Sequence, residues 1–440
     1  MWSVWNRRES GHGGVRSLLF YFIIGKFIYT NRTGKTTMKE NQPLSEEFVK
    51  LALAIEEHVP GYLDAYYGPD EWMQEAKQAG KLPLNELAER TDRLAREVDQ
   101  VSDWDMQRKD FLAAQLRAMQ MSLRLLSGEK VSLTEEVQAL YDVTPEWKDE
   151  SIFVEAYKQL DELLPAGGSL KERLERWNTS LRLPLEKIKE LLPVIADRLR
   201  DCTREKFDLP EGETFHVEFV SDEPWMAYNW YQGDYQSRID INTDIPTQIN
   251  GLTVLMAHEG YPGHHTERCI KDAKLIRQRN YLEHVAVLIN APSCVISEAI
   301  ATTALDTILT QAELTDWYRE ELLPRAGLAH IDPRIMMEIT RAEREIESIA
   351  GNAVFMLHDQ NKSPQEIISY MQQHGLSTEE DAEHLIKFIS DPLGRSYIFT
   401  YYVGKDLLDA LFAGRDRDRY FKRLLEEPVT PGQVREWIRS

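Results

Sequence analysis

Residues 254–267 read VLMAHEGYPGHHTE, and they restrict what this chain can become more than any other stretch. His258, Glu259, His264 and His265 fall within eight residues, and Leu252, Val254, Leu255 and Met256 run into them. The cluster therefore opens from an apolar segment, where imidazoles and carboxylates are costly unless paired or bound to a metal. Pro262 stands four residues after His258, so in a continuous helix its ring would clash with the His258 carbonyl. Gly263 can then take backbone angles that other residues avoid. The expectation is a helix broken or bulged over residues 261–263. On an undistorted helix His258 and His264 would point about 240° apart, and His265 would return to the same face roughly 10 Å further on. The break instead swings His264 back toward His258, with His265 left as the competing second ligand. The plain alternative is a capped helix end with surface histidines.

Imidazole nitrogens and a carboxylate are a ligand set of zinc, which in catalytic sites keeps one position open to water. Glu259, adjacent to His258, occupies the place from which the general base of a zinc peptidase reaches that water. The spacing is not the ordinary His-Glu-x-x-His, in which two histidines four apart share a helical face.

His-Glu-x-x-Pro-Gly-His, here His258 to His264, resembles the signature of the bacterial family known as domain of unknown function 885. The resemblance implies a mainly helical zinc metallopeptidase of the gluzincin type, with two histidine ligands and a downstream glutamate. Residues 292–305 read PSCVISEAIATTAL, a helix start followed by an almost wholly apolar run in which Glu298 is the one charge before Asp306. A lone carboxylate there needs a partner, either a metal or a buried arginine or histidine. The family places a Glu-Gly-Trp-Ala-type segment about here, and Glu298 and Ala301 match its first and last positions. It also places a Tyr three residues before a Gly, matched by Tyr401 and Gly404. The resemblance thus implies His258, His264 and Glu298 as zinc ligands, Glu259 as general base, and Tyr401 as a donor to the oxyanion of a tetrahedral intermediate. Arg395 and Tyr397 stand where the family has Pro and Gln, and both are expected to contact substrate. An arginine fork at Arg395 suits a substrate carboxylate.

The rest of the chain reads as helices. Residues 45–58, 86–101 and 104–126 carry apolar residues at helical spacing, Ser169 and Glu172 form a capping box, and residues 185–202 continue the pattern. Residues 216–220 and 237–242 alternate as strands, with an aromatic cluster at residues 224–231 between them. That predicts a small sheet just before the metal helix, of the kind whose edge holds extended peptide in metallopeptidases. The cluster itself reads as core rather than subsite. Residues 331–356 carry Arg341 and Arg344 among Glu338, Glu343, Glu345 and Glu347, mostly a solvated face of ion pairs. Residues 272–280 are charged and expected to be exposed.

The fold class is therefore mainly α, a large helical metallopeptidase-like fold with a small β-sheet beside the metal helix. At 440 residues two intimate parts are expected: a helical half over residues 38–205 walling a cleft, and a metal-binding half over residues 206–440. Residues 1–37 carry six basic residues against Glu9 and an interrupted apolar run too short to span a bilayer. They read as a non-globular segment, a mis-assigned start or a targeting signal. A net charge of −21 argues against nucleic-acid binding. Three widely spaced cysteines make no disulfide framework, so the cytoplasm is the expected compartment and Cys269 and Cys294 are expected in the core. The expected reaction is hydrolysis of short peptides. Its rivals are a zinc amidase or esterase on a small non-peptide substrate, and a non-catalytic helical scaffold in which the histidines are structural.

Overall fold

Apolar residues recurring every three or four positions turn most of this chain into helix. The computed structural model describes residues 42–223, 225–391 and 394–440, so the reading of residues 1–37 lies outside the described residues. The first helix, Pro43–Glu56, buries Phe48, Leu51, Ala52 and Ile55. Leu84–Gln100 buries the stripe Leu87, Thr91, Leu94 and Val98. Met106–Leu126 starts at Asp105, whose side chain accepts from the Arg108 amide, and the Ser169–Glu172 capping box is formed. Leu185–Lys206 completes this helical stretch.

Among the described residues five short strands interrupt the helices. Strand β1 (Leu63–Tyr66) pairs antiparallel with a distant partner at Ala286–Leu288, Tyr66 opposite Ala286. Strands β2 (Thr214–Val220), β3 (Ala227–Tyr231) and β4 (Gln236–Asn242) form one sheet in the order β2-β4-β3. Strand β4 runs parallel to β2 and antiparallel to β3. That leaves β3 with a free edge. The Ala286–Leu288 strand is β5.

Among the described residues two large hydrophobic clusters and a smaller third form the core, and the helix Pro292–Ile308 belongs to both large ones. Val295 joins Phe48, Leu112, Tyr141 and Phe399 in one cluster, while Ile296 and Ile300 join Leu191, Ile239, Leu252 and Leu408 in the other. Each such side chain, fully buried, contributes about 1.5–3 kcal/mol. The helix Phe399–Phe412 lies tightly along Pro292–Ile308: a Cβ on Gly404 would stand 2.9 Å from the Val295 carbonyl and 3.1 Å from the Ala299 methyl. This contact places Tyr401 over Glu298's helix.

The fold corrects one local expectation, the exposure of residues 272–280, and adds detail at two other places. Residues 331–356 form two helices, Pro333–Glu347 and Ile349–His358, divided at Ser348. Residues 272–278 make a π-helix rather than an exposed stretch. It buries Leu275, Ile276 and Asp272, whose carboxylate takes bonds from Tyr231 Oη (2.7 Å) and Arg277 Nε (2.8 Å). Tyr397 lies just before the Phe399–Phe412 helix. Among the described residues no single helix is long and apolar enough to cross a membrane.

Candidate metal centre

The helix Ile249–Glu259 ends at the predicted break, and a second helix, His264–Lys271, starts directly after it. Between them the chain folds back on the end of the first helix: the Gly263 amide donates to the Ala257 carbonyl at 2.9 Å. A Cβ on Gly263 would lie 1.8 Å from the His258 carbonyl oxygen, so only glycine fits. Asn229 of β3 donates to the Glu259 carbonyl at 2.6 Å, satisfying one of the carbonyls orphaned at the helix end.

This turn brings the imidazoles of His258 and His264 edge to face, 4.7 Å between ring centres. Glu298 rises between them from Pro292–Ile308. His258 Nε2 lies 3.5 Å from one Glu298 oxygen and His264 Nε2 3.8 Å from the other. One ligand atom from each of the three residues falls within 4.8 Å of the others. Glu298 is buried, and its Oε2 has no hydrogen-bond donor. A buried carboxylate with one imidazole nitrogen facing each oxygen, and no hydrogen-bond donor on Oε2, fits a cation, and the two-nitrogen, one-carboxylate donor set suits a divalent metal. Where no metal sits, burial opposes a charge on His264, but Glu267, Glu298 and Glu259 outweigh it and push its pKa up to about 9. A metal must displace that proton, so binding is coupled to proton release.

A second layer fixes these ligands. Tyr397 Oη donates to Glu298 Oε1 at 2.9 Å. Ser297 Oγ lies 3.2 Å from His264 Nδ1 and donates to Glu267 Oε2, while Lys271 Nζ donates to Glu267 Oε1 at 2.6 Å. Such partners set the tautomer of a ligating histidine and aim its other nitrogen. Here Nε2 is the nitrogen turned toward Glu298.

Glu259 is buried beside the ligands and lines the same cavity. Burial raises its pKa, with the His258 and His264 charges pulling the other way. Tyr401 is also buried on this wall, its ring edge-on to Tyr397 at 5.6 Å. The cavity measures about 60 Å³, room for a few water molecules. Its other walls are β1, β3 and β5, through Asp64, Tyr228, Asn229 and Leu288, together with Arg268.

The structure separates the sequence candidates. His258, Glu259, His264, Glu298, Tyr397 and Tyr401 meet around one cavity. Tyr397, expected as a substrate contact, has its hydroxyl engaged by Glu298 instead. Arg395 does not line the cavity, and the expectation that it binds substrate is corrected: its Nε pairs with the fully buried Glu136 at 3.0 Å. His265 is turned away as well, with Nδ1 2.8 Å from Ser237 Oγ and Nε2 3.2 Å from Glu213. Cys294, buried as expected, also forms part of the cavity wall. In the aromatic cluster Trp225 and Tyr231 are buried, Tyr228 and Tyr231 line the cavity, and Tyr228 donates to Asp64. Sequence reasoning missed Asp64, Arg268, Ser297 and Glu267. Only Ser297, next to Glu298, and Glu267, three residues after His264, lie near enough to the motif to have been noticed.

No family model matches the chain, and no curated protein matches it. The solved structures similar to it include these two. A candidate lipoprotein from Colwellia psychrerythraea is 14% identical with a TM-score of 0.45, over 96% of this chain and 81% of that one. The M32 carboxypeptidase from Deinococcus radiodurans R1 is 12% identical with a TM-score of 0.42, over 90% of this chain and 94% of that one. Likeness at this level says nothing of chemistry, which rests on the residues of the site.

Proposed function

We propose that the chain is a zinc-dependent hydrolase of short peptides, with zinc held by His258 Nε2, His264 Nε2 and Glu298. The observation that carries this reading is the buried Glu298 carboxylate, whose Oε2 has no hydrogen-bond donor, with His258 Nε2 facing one oxygen and His264 Nε2 the other, and Glu259 in the same cavity. Zinc in such a site acidifies a water molecule and polarises the scissile carbonyl.

The chain's own groups supply the proton handling. Glu259, held without a metal contact of its own in this reading, accepts a proton from the attacking water and returns it to the leaving amine. The raised pKa that burial gives it makes it a better base than an exposed carboxylate. Tyr401, lining the same cavity, donates to the developing oxyanion. Tyr397 and Ser297 hold Glu298 and His264 in place.

A peptide substrate is favoured by β3. The Asn242 amide donates to the Met226 carbonyl and the Gln232 amide to the Gln236 carbonyl. Backbone groups at even-numbered positions therefore face β4, and those of Ala227, Asn229 and Tyr231 point to the free edge. All three residues line the cavity, where an extended chain can add as a strand. The test is elemental analysis of the purified protein together with digestion of a peptide library. The reading requires one zinc per chain and hydrolysis that stops when the metal is chelated. Absence of stoichiometric metal after zinc loading would overturn it.

A further inference from the structure

We propose that Arg268 binds a carboxylate on the substrate, one residue beyond the scissile bond, so that the preferred substrates end in a free carboxyl group there. This rests on the hydrolase reading above. Among the described residues Arg268 is the one arginine or lysine lining the cavity, against the acids Asp64, Glu259 and Glu298. Its side chain is 11% exposed. Nη2 donates to Asp64 Oδ2 at 3.2 Å and lies 3.5 Å from Ser297 Oγ. Nε and Nη1 have no hydrogen-bond partner among the described residues. A guanidinium so deeply set, with half its fork unengaged, is short of acceptors.

The pair is built rather than casual. Asp64 comes from β1 and accepts a hydrogen bond from Tyr228 of β3, so two strands fix the carboxylate that aims Arg268. The Asp64 side chain is 25% exposed, and Arg268 lines the cavity beside it.

Spacing sets where the carboxylate lies. His264 and Arg268 are four apart on one helix, which places their Cβ atoms about 5–6 Å apart on the same face. A terminal carboxylate stands one residue, about 3.5 Å, past the carbonyl that is cleaved. An N⁺–H···O⁻ bond of about 2.8 Å closes the remaining gap.

The experiment compares N-acetyl tripeptides, each as free acid and as carboxyl amide, with the zinc-loaded full chain and with R268Q. The expected result is a preference for the acids of roughly 10- to 100-fold in kcat/KM, the worth of a charge-assisted bond, expressed mainly in KM. R268Q should lose that preference while keeping its zinc, and R268K, which retains the charge but not the fork, should fall between. Equal turnover of acids and amides by the wild type overturns the proposal, whatever the variants do. If neither set is hydrolysed, the peptidase reading fails separately, and calorimetry with N-acetyl-phenylalanine and its amide decides this one. Binding of the acid that R268Q abolishes supports it; no binding, or equal binding of the amide, overturns it.

Discussion

The Nε2 of His265 lies 3.2 Å from a carboxylate oxygen of Glu213, turned about 100° around the helix from its neighbour His264. Glu213 is fully buried and also accepts from Arg200 Nε at 2.8 Å, Arg204 at 2.9 Å and the Tyr261 hydroxyl. One carboxylate thereby ties β2's approach, the Leu185–Lys206 helix and the Tyr261 turn together. Two adjacent histidines with the same chemistry have different tasks because their helix faces differ.

That division predicts opposite outcomes for two alanine substitutions. His264→Ala should abolish metal binding with the fold retained. His265→Ala should keep one metal per chain and lose roughly 1–3 kcal/mol of stability, since Glu213 is left short of a buried partner. Elemental analysis and thermal unfolding of the two variants check this. Metal lost from His265→Ala and kept by His264→Ala would reverse the ligand assignment.

Ser297 contacts His264 without being placed to reach a metal. Ser297→Ala removes the link from His264 Nδ1 to Glu267. Loss of such a partner weakens metal affinity by about 10–100-fold. Competition with a zinc chelator of known affinity reads the change, and an unaltered dissociation constant would remove Ser297 from the site's support.

A pH effect is expected far from the metal. Burial, with Glu347 adding to it, pushes the Glu343 pKa up to about 7 from 4.5, although Asn178 Nδ2 donates to its carboxylate at 2.7 Å. A carboxyl whose folded pKa is raised binds its proton more tightly when folded. Its destabilising effect is absent below about pH 4.5, grows as pH rises to about 7, and is full above that. On the order of 3 kcal/mol at most is involved. Glu343→Gln keeps the oxygen that accepts from Asn178 and should be more stable than wild type at pH 8 but not at pH 4.5. Denaturant unfolding at the two pH values measures it, and an equal difference at both would show that Glu343 does not titrate between them.

Glu343 also shows where the sequence stopped being legible. Its neighbours are charged, so residues 338–347 read as a solvated face. Asn178, the partner that buries it, is 165 residues away in the chain. Arg395 fails the same way: the carboxylate that claims it, Glu136, lies on a helix whose local pattern says nothing of the pairing. Strands of four and three residues, β1 and β5, are too short to show a period, and with them went Asp64. What could be read was carried by local sterics and short spacing. Pro262 and Gly263 forced the break, helical periods marked most helices, and the isolated charge of Glu298 in an apolar run pointed to a buried partner. The helix break and the lone glutamate are enough to assemble His258, His264 and Glu298, because each constraint acts within a few residues of the group it positions.

Glu259 separates an enzyme from a scaffold. In the hydrolase account it handles the proton of the attacking water and does not hold the metal. Glu259→Gln should therefore keep the fold and one zinc per chain. The amide accepts no proton at neutral pH, and loss of a general base costs about 10²–10⁴ in rate. The most direct measurement is kcat/KM for the best-cleaved library peptide, taken on wild type and Glu259→Gln at equal zinc content. The account predicts a fall within that range. Equal rates would contradict it.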